Sequence, residues 1–382
     1  MSNLKSKLPK VGTTIFTVMS QMAQEHKAIN LSQGFPDFPI DDQLPELVNK
    51  YMLQGHNQYA PMTGSPQLRE QISKTYNSKY NLNLHQDAEI TITAGATEAL
   101  FVAIQALVHP GEEVIVFDPA YDSYDPAIRL SGGIPIHLNL QFPNFNIDWQ
   151  QVEDTISEKT RLIIINNPHN PTGSVLSRND LLQLEALVKK HEQLFVLSDE
   201  VYEHITFDGK SHQSVLQFPA LYEKSLVAFS FGKTFHITGW KVGYVIAPEY
   251  LSREIRKVHQ YVTFSVNTPV QLALAEFLKD EKNYQGIDTM YQAKRDLFLK
   301  GTQNSRFEAI PASGTYFQLL SYKDISDKPD VEMAEWLTKT HGVASIPISV
   351  FSDSEQDNQV LRFCFAKNEE TLKKATEILC KI

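Results

Sequence analysis

Cysteine is nearly missing from the 382 residues: Cys364 and Cys380 are the only two, and no CxxC spacing occurs. That excludes a disulfide framework and a thiolate zinc site, so no metal is expected, and it suits a reducing compartment such as the cytoplasm. No apolar run approaches the ~20 residues that a membrane span requires, so no membrane partner is expected. The opening stretch Met1-Ser2-Asn3-Leu4-Lys5-Ser6-Lys7 has no apolar h-region, which argues against a secretory leader. Basic runs beyond a pair or two are also absent. The 35 Lys and Arg are outnumbered by 45 Asp and Glu, giving a net charge of −10, the wrong sign for a nucleic-acid surface. Internal repeats and low-complexity tracts are lacking as well.

What is present is an ordinary globular composition, 42% hydrophobic and 21% charged, at a length that predicts two domains. From residue 90 onward, short apolar runs alternate with helical patterns such as Ala99–Val108 and Leu181–Lys190. The strand candidates are Ile90–Thr93, Val114–Phe117, Ile134–Leu138, Leu162–Asn166, Leu194–Ser198, Leu226–Phe231 and Val242–Ala247. Seven such runs with helices between predict an α/β fold, a seven-stranded mostly parallel sheet covered on both faces. After about residue 275 the texture becomes α+β, with long amphipathic helices and fewer, scattered strands. The expected organisation is an N-terminal segment (1–45) joining a smaller C-terminal domain (276–382), with a large domain (46–275) between.

Ligands of parallel sheets sit beyond the carboxyl ends of the strands, and the chemistry-bearing residues cluster there. Ile92-Thr93 runs into Ala94-Gly95-Ala96-Thr97-Glu98, small residues opening a helix whose free N–H groups suit an anion. This stretch is neither a Walker loop nor a GxGxxG fingerprint, and alone it is weak. The next runs deliver Tyr121, a ring able to stack on a flat ligand, then Asn170 within Asn167-Pro168-His169-Asn170-Pro171-Thr172-Gly173. Leu194–Ser198 ends in Asp199-Glu200-Val201-Tyr202. A carboxylate after a buried strand asks for a cationic partner, though an Asp there equally caps a helix. The stretch from Ser230 to Tyr244 lies between two apolar runs and carries Lys233 and, eight residues on, Lys241. Where a buried strand stops, a lysine can be desolvated, lowering its pKa and freeing an amine to attack a carbonyl. An anion cradle, a stacking ring, an amide, a carboxylate, a phenol and a nucleophilic lysine together match what pyridoxal 5′-phosphate requires.

The segments LSQGFPDF, NQYAPMTG, TAGATEAL, DPAYDSY, NNPHNPTG, SDEVYEHI, SFGKTFHITGWKVGY and LRFCFAK follow one another in order along the whole chain. In this the chain resembles the fold-type I pyridoxal-phosphate aminotransferases of class I/II. It looks most like the bacterial methionine aminotransferases and, more loosely, the kynurenine aminotransferase and cysteine-S-conjugate β-lyase group. The resemblance implies that Lys233 holds the cofactor covalently and then shuttles the substrate proton. It implies that Asp199 keeps the pyridine nitrogen protonated, that Asn170 and Tyr202 bond the phenolic oxygen, and that Tyr121 stacks on the ring. The phosphate would meet the turn Gly95, Ala96 and Thr97, the Ser230 hydroxyl and the Lys241 ammonium. Tyr59 would reach it from a second subunit, making a homodimer with shared sites. Arg362, in an apolar strand where an unpaired guanidinium is costly, would fork a substrate carboxylate with help from Gly34 and Asn170.

The implied reaction moves an amino group from an amino acid to a 2-oxo acid by a ping-pong route. No second arginine motif for a side-chain carboxylate is evident, which disfavours a dedicated aspartate enzyme. The candidate side-chain wall, Phe16, Phe35, Tyr121 and the second subunit's Phe264, suits methionine or another large neutral or aromatic L-amino acid. A cysteine-S-conjugate β-lyase or a kynurenine aminotransferase would use the same residues. A cofactor-sensing transcription regulator would need an N-terminal DNA-binding domain for which the early LSQGFPDF leaves no room. A scaffold without catalysis is disfavoured by the intact Lys233, Asp199 and Arg362. Loop histidines His204 and His236 are expected to be structural.

Overall fold

A computed structural model describes residues 5–354 and 356–382. All seven expected runs form strands of one sheet: β1 (Ile90–Thr93), β2 (Glu113–Asp118), β3 (Ile134–Asn139), β4 (Thr160–Asn166), β5 (Phe195–Asp199), β6 (Ser225–Ser230) and β7 (Gly243–Ile246). Their order is β1-β7-β6-β5-β4-β2-β3. The five strands from β6 to β3 are parallel, and β7 runs antiparallel between β6 and β1. This is the mostly parallel α/β sheet that the alternating runs predict.

Side chains alternate between two apolar layers, as a pleated strand requires. Val114 and Val116 pack into one core while Ile115 and Phe117 pack into the other. The first core is covered by helices Ala96–Leu107 and Glu249–Val262 and includes Leu100, Ile104, Leu251 and Ile255. The second is covered in part by Arg178–Lys190 through Leu181, Leu184 and Leu187. Glu249–Val262 was not anticipated from the sequence, because five charged residues mask its apolar stripe of Leu251, Ile255, Val258 and Val262.

The expected sixth run stops one residue early. Phe231 leaves the strand and opens a one-turn helix, Phe231–Thr234, where its ring lies parallel to Phe235 at 6.0 Å. Lys233 therefore rides on a short helical turn at the carboxyl end of β6. A four-stranded antiparallel sheet forms in the C-terminal third, ordered Ile346–Pro347, Val360–Cys364, Phe317–Ser321, Glu308–Ala309. The N-terminal pair Ile29–Asn30 aligns parallel with Val343–Ala344. That pairing carries the LSQGFPDF loop across to the strand that bears Arg362.

Candidate active site

A cavity of about 240 Å³ opens at the carboxyl ends of the parallel strands. The turn after β1 supplies Gly95, Ala96 and Thr97, the loop after β2 supplies Tyr121, and the end of β4 and the loop after it supply Asn166 and Asn170. Asp199 ends β5 and Tyr202 follows it, Ser230 ends β6, and Lys233 and Lys241 come from the β6–β7 connection. Phe16, Gly34 and Arg362 close the opposite wall. Residues separated by more than 300 positions, from Phe16 to Arg362, thus line one space.

Lys233 stands near the centre. Burial lowers its amine from the ordinary 10.5 to about 8, with the charges of Arg362 and Lys241 acting in the same direction. Its Nζ donates to the Tyr316 hydroxyl at 3.0 Å, and that hydroxyl in turn donates to the Gly34 carbonyl at 2.5 Å. Because the Tyr316 proton is committed to Gly34, its oxygen is left to accept from the lysine. Tyr316 is a residue that sequence reasoning missed: it sits in a strand-like apolar stretch, and only the fold brings it to the lysine.

Asp199 is buried at the end of β5, and burial raises its carboxyl from 3.8 to about 6. The Tyr124 hydroxyl donates to its Oδ2 at 2.7 Å, and the Val201 amide reaches Oδ1 at 3.4 Å. No helix follows Asp199, so the capping alternative falls away. Tyr124, also unforeseen, orients this carboxylate from the helix Tyr124–Leu130. The Asn166 side chain holds the loop after β4 by donating to the Asp199 carbonyl at 2.9 Å and accepting from the Asn170 amide at 2.7 Å.

Arg362 is 1% exposed in the middle of its strand, directly across from Leu319 on one side and Ile346 on the other. One Nη donates to Asn170 Oδ1 and the other to the Ser32 carbonyl, each at 2.9 Å. The guanidinium carbon lies 3.9 Å from the centre of the Phe317 ring and 5.2 Å from that of Phe16. Its Nε–H is buried without an acceptor. A buried guanidinium with neutral partners and a spare donor is poised for an anion. Gly34 must be glycine here, since a Cβ would stand 2.8 Å from Phe317 Cζ.

The anion end of the cavity also depends on glycine. Gly95 adopts φ +78, and a Cβ on Gly243 would lie 2.9 Å from the Ala96 amide nitrogen. The Lys241 ammonium is drawn to the same turn: Nζ sits 3.4 Å from the ideal Cβ position of Gly95.

Phe35, Tyr59, Phe264, His204 and His236 lie outside the lining of this cavity. Phe35 is a correction: its ring faces outward beneath Lys367, with Nζ 4.9 Å from its centre, and does not line the cavity. The Lys367 Nζ bond to the Phe35 carbonyl, 2.8 Å, fixes the backbone and turns the side chain away. Tyr59 is 81% exposed and stacks edge-on against Phe264 at 5.2 Å, well outside this chain's own cavity. His204 and His236 lie outside the lining too, and His236 bonds the Tyr291 hydroxyl at 3.0 Å.

Residues 26–379 match the family model for aminotransferase class I and II. The chain is 53% identical to the methionine aminotransferase of Escherichia coli (strain K12), over 98% of this chain and 97% of that one. It is 35% identical to a kynurenine–oxoglutarate transaminase of Dictyostelium discoideum, covering 97% and 94%. Among solved structures, the Escherichia coli protein YbdL, for which a methionine aminotransferase function is identified, superposes with a TM-score of 0.98 at 52% identity, covering both chains fully. An N-succinyldiaminopimelate aminotransferase of Mycobacterium tuberculosis gives 0.95 at 33% identity over 99% of each chain.

Proposed function

The chain belongs to the class I and II aminotransferases, and we propose that it transfers the amino group of methionine, or another large neutral or aromatic L-amino acid, to a 2-oxo acid with pyridoxal 5′-phosphate as cofactor. The observation that carries this reading is the convergence of Lys233, Asp199 and Arg362 on one cavity.

The residues present fit that cofactor. The glycine-lined turn with Ser230 and Lys241 suits its phosphate, and Asp199, though it feels the Lys233 charge, has no ion-pair partner within 4 Å among the described residues. Tyr121 would cover one face of the ring, and Asn170 and Tyr202 would hold its phenolic oxygen. When bound, pyridoxal phosphate supplies the aldehyde and the electron-accepting ring that make a substrate Cα–H acidic.

The chain's own residues do the rest. Arg362, Gly34 and Asn170 hold the substrate α-carboxylate, which fixes the Cα–H bond relative to Lys233. With its pKa lowered to about 8, the Lys233 amine is partly neutral near neutral pH and can take the Cα proton as general base. Tyr316 and the Gly34 carbonyl orient that amine. Asp199 stabilises positive charge across the cavity from it. Phe16 and Phe317, packed on Arg362, exclude water and leave apolar surface for a neutral side chain. A substrate lacking a second carboxylate is favoured, because the described lining offers no further arginine. Such an apolar pocket separates neighbours by only ~1–3 kcal/mol per methylene, so a broad substrate range is expected.

The exposed Tyr59–Phe264 pair supports a homodimer in which each subunit completes the other's site. The segment 1–45 and residues 276–382 would form the smaller domain beside a large one of 46–275. No helix among the described residues is long and apolar enough to cross a membrane, and with the cysteine content this supports a cytoplasmic enzyme.

The absorption spectrum of the purified protein tests the reading. L-methionine added without an oxo acid should convert the yellow cofactor band to the amino form, and a 2-oxo acid should restore it. Lys233→Ala should stop the cycle. Release of pyruvate and ammonia from a cysteine conjugate, with no response to methionine, would instead identify the lyase. No uptake of pyridoxal phosphate would sink the proposal.

A further inference from the structure

The segment Gln58–Met62 carries the exposed Tyr59 and belongs to no helix or strand. Its alternate carbonyls are nonetheless all taken by side chains from one region. Thr268 Oγ1 donates to Gln58 O at 2.6 Å, Ser265 Oγ to Ala60 O at 2.9 Å, and His259 Nε2 to Met62 O at 3.0 Å. Since a carbonyl can only accept, the His259 Nε2 must carry a proton. Its Nδ1 lies 2.6 Å from Glu98 Oε1, and Glu98 Oε2 accepts from the Ala94 amide at 2.7 Å. His259 is wholly buried, on the helix Glu249–Val262, which Arg256 clamps to β1 through Thr91 Oγ1 and the Ile90 carbonyl.

These bonds form one continuous path from the turn Ala94–Thr97, through Glu98 and His259, to the backbone that presents Tyr59. One end of the path lies at this chain's anion cradle. The other end is a tyrosine that stands 81% exposed but is fixed at its backbone and braced by the Phe264 ring. Holding an exposed aromatic in one orientation reduces the entropy lost when a surface closes on it.

We infer that His259 is a positioning residue: with Glu98 it sets the Tyr59 arm for the second subunit's cofactor-phosphate site while bracing this subunit's own phosphate turn. The inference rests on the proposed shared-site homodimer. A buried donor–acceptor pair severed on one side leaves its partners unsatisfied, so its loss should relax both ends at once. Gln at position 259 can still donate to Met62, whereas Leu can make neither bond.

The test is a double-mutant cycle on the cofactor-free protein, reading the dissociation constant of pyridoxal phosphate by absorption titration and the subunit equilibrium by sedimentation. His259→Leu should weaken cofactor binding about tenfold or more and loosen the dimer, with His259→Gln recovering most of both. Tyr59→Phe alone should also weaken the cofactor. Combined with His259→Leu it should add less than about twofold, because both changes remove one contact. Additive losses in a protein that is dimeric as wild type would overturn the inference and leave the shared site standing. A monomeric wild type that binds cofactor with unchanged affinity after Tyr59→Phe would overturn the shared site and the inference with it. Should His259→Leu fail to fold, Ser265→Ala with Thr268→Val removes two rungs of the same ladder. The cycle with Tyr59→Phe then has the same two readings.

Discussion

Replacing Asp199 by Asn should stabilise the cofactor-free protein at neutral pH while abolishing its chemistry. The carboxyl is held at about 6 against an ordinary 3.8, chiefly by burial, despite the opposing hydrogen bonds from Tyr124 and Val201 and the Lys233 charge. Its folded pKa lies above its unfolded one, so between those values the native protein holds a proton that the unfolded chain has released. Asp199's contribution is therefore complete below pH 3.8 and is lost as the pH rises through about 6. The full loss corresponds to about 3 kcal/mol, reached near pH 7.5. Asn carries no charge to desolvate and can still accept from Tyr124. Allowing for a poorer fit at Val201, Asp199→Asn should be more stable than wild type by about 1–3 kcal/mol at pH 7.5. The advantage should shrink to about half by pH 5 and vanish below about pH 4. Urea unfolding of the cofactor-free proteins, followed by tryptophan fluorescence across this pH range, measures it. Saturating pyridoxal phosphate should reverse the order, because wild type gains a cationic partner and the variant does not. A pH-independent difference, or a less stable Asp199→Asn apoprotein at pH 7.5, would refute the reasoning.

Three further outcomes follow from the same geometry. Arg362→Lys keeps the charge but loses the fork and the stacking on Phe317, so kcat/KM for methionine should fall about 100-fold, mostly through KM, with an unchanged cofactor spectrum in steady-state assays. Tyr316→Phe removes the acceptor that holds Lys233 Nζ; the methionine half-reaction should slow about tenfold with a larger Cα-deuterium isotope effect, while cofactor affinity stays within about twofold. Since only the neutral amine attacks an aldehyde, the rate of pyridoxal phosphate uptake by the apoprotein should climb with pH and level off above about 8. A climb that continues toward 10.5 would show that burial does not lower Lys233.

Much of this architecture is legible in one dimension because its causes are local. A parallel strand buried on both faces must be a short apolar run, and β2, β4, β5 and β6 are such runs. Residues that follow parallel runs land on one edge of the sheet, which is why the sequence alone groups Asp199, Asn170, Tyr121 and Lys233. The last helix, Glu369–Leu379, is equally local, with Asn368 capping it through the Thr371 amide at 2.8 Å. The helix Glu249–Val262 is not legible in the same way, because its five charged residues mask the apolar stripe.

Orientation and long-range partnership are different in kind. The sequence places Phe35 beside Gly34, but only the Lys367 bond to its carbonyl decides that the ring points away from the cavity. Nothing near Arg362 in sequence announces Ser32 or Asn170, which lie 330 and 192 positions away. The pairing of Ile29–Asn30 with Val343–Ala344 brings in the first, and the loop after β4, held by Asn166, brings in the second. Tyr316 and His259 are ordinary members of apolar patterns until folding brings one to Lys233 and the other between Glu98 and Met62. Periodicity and strand-end chemistry, set by neighbours in the chain, determined the sheet and the identity of its reactive groups. Side-chain direction and hydrogen bonding across the fold, set by packing between distant segments, decided how those groups are aimed and held.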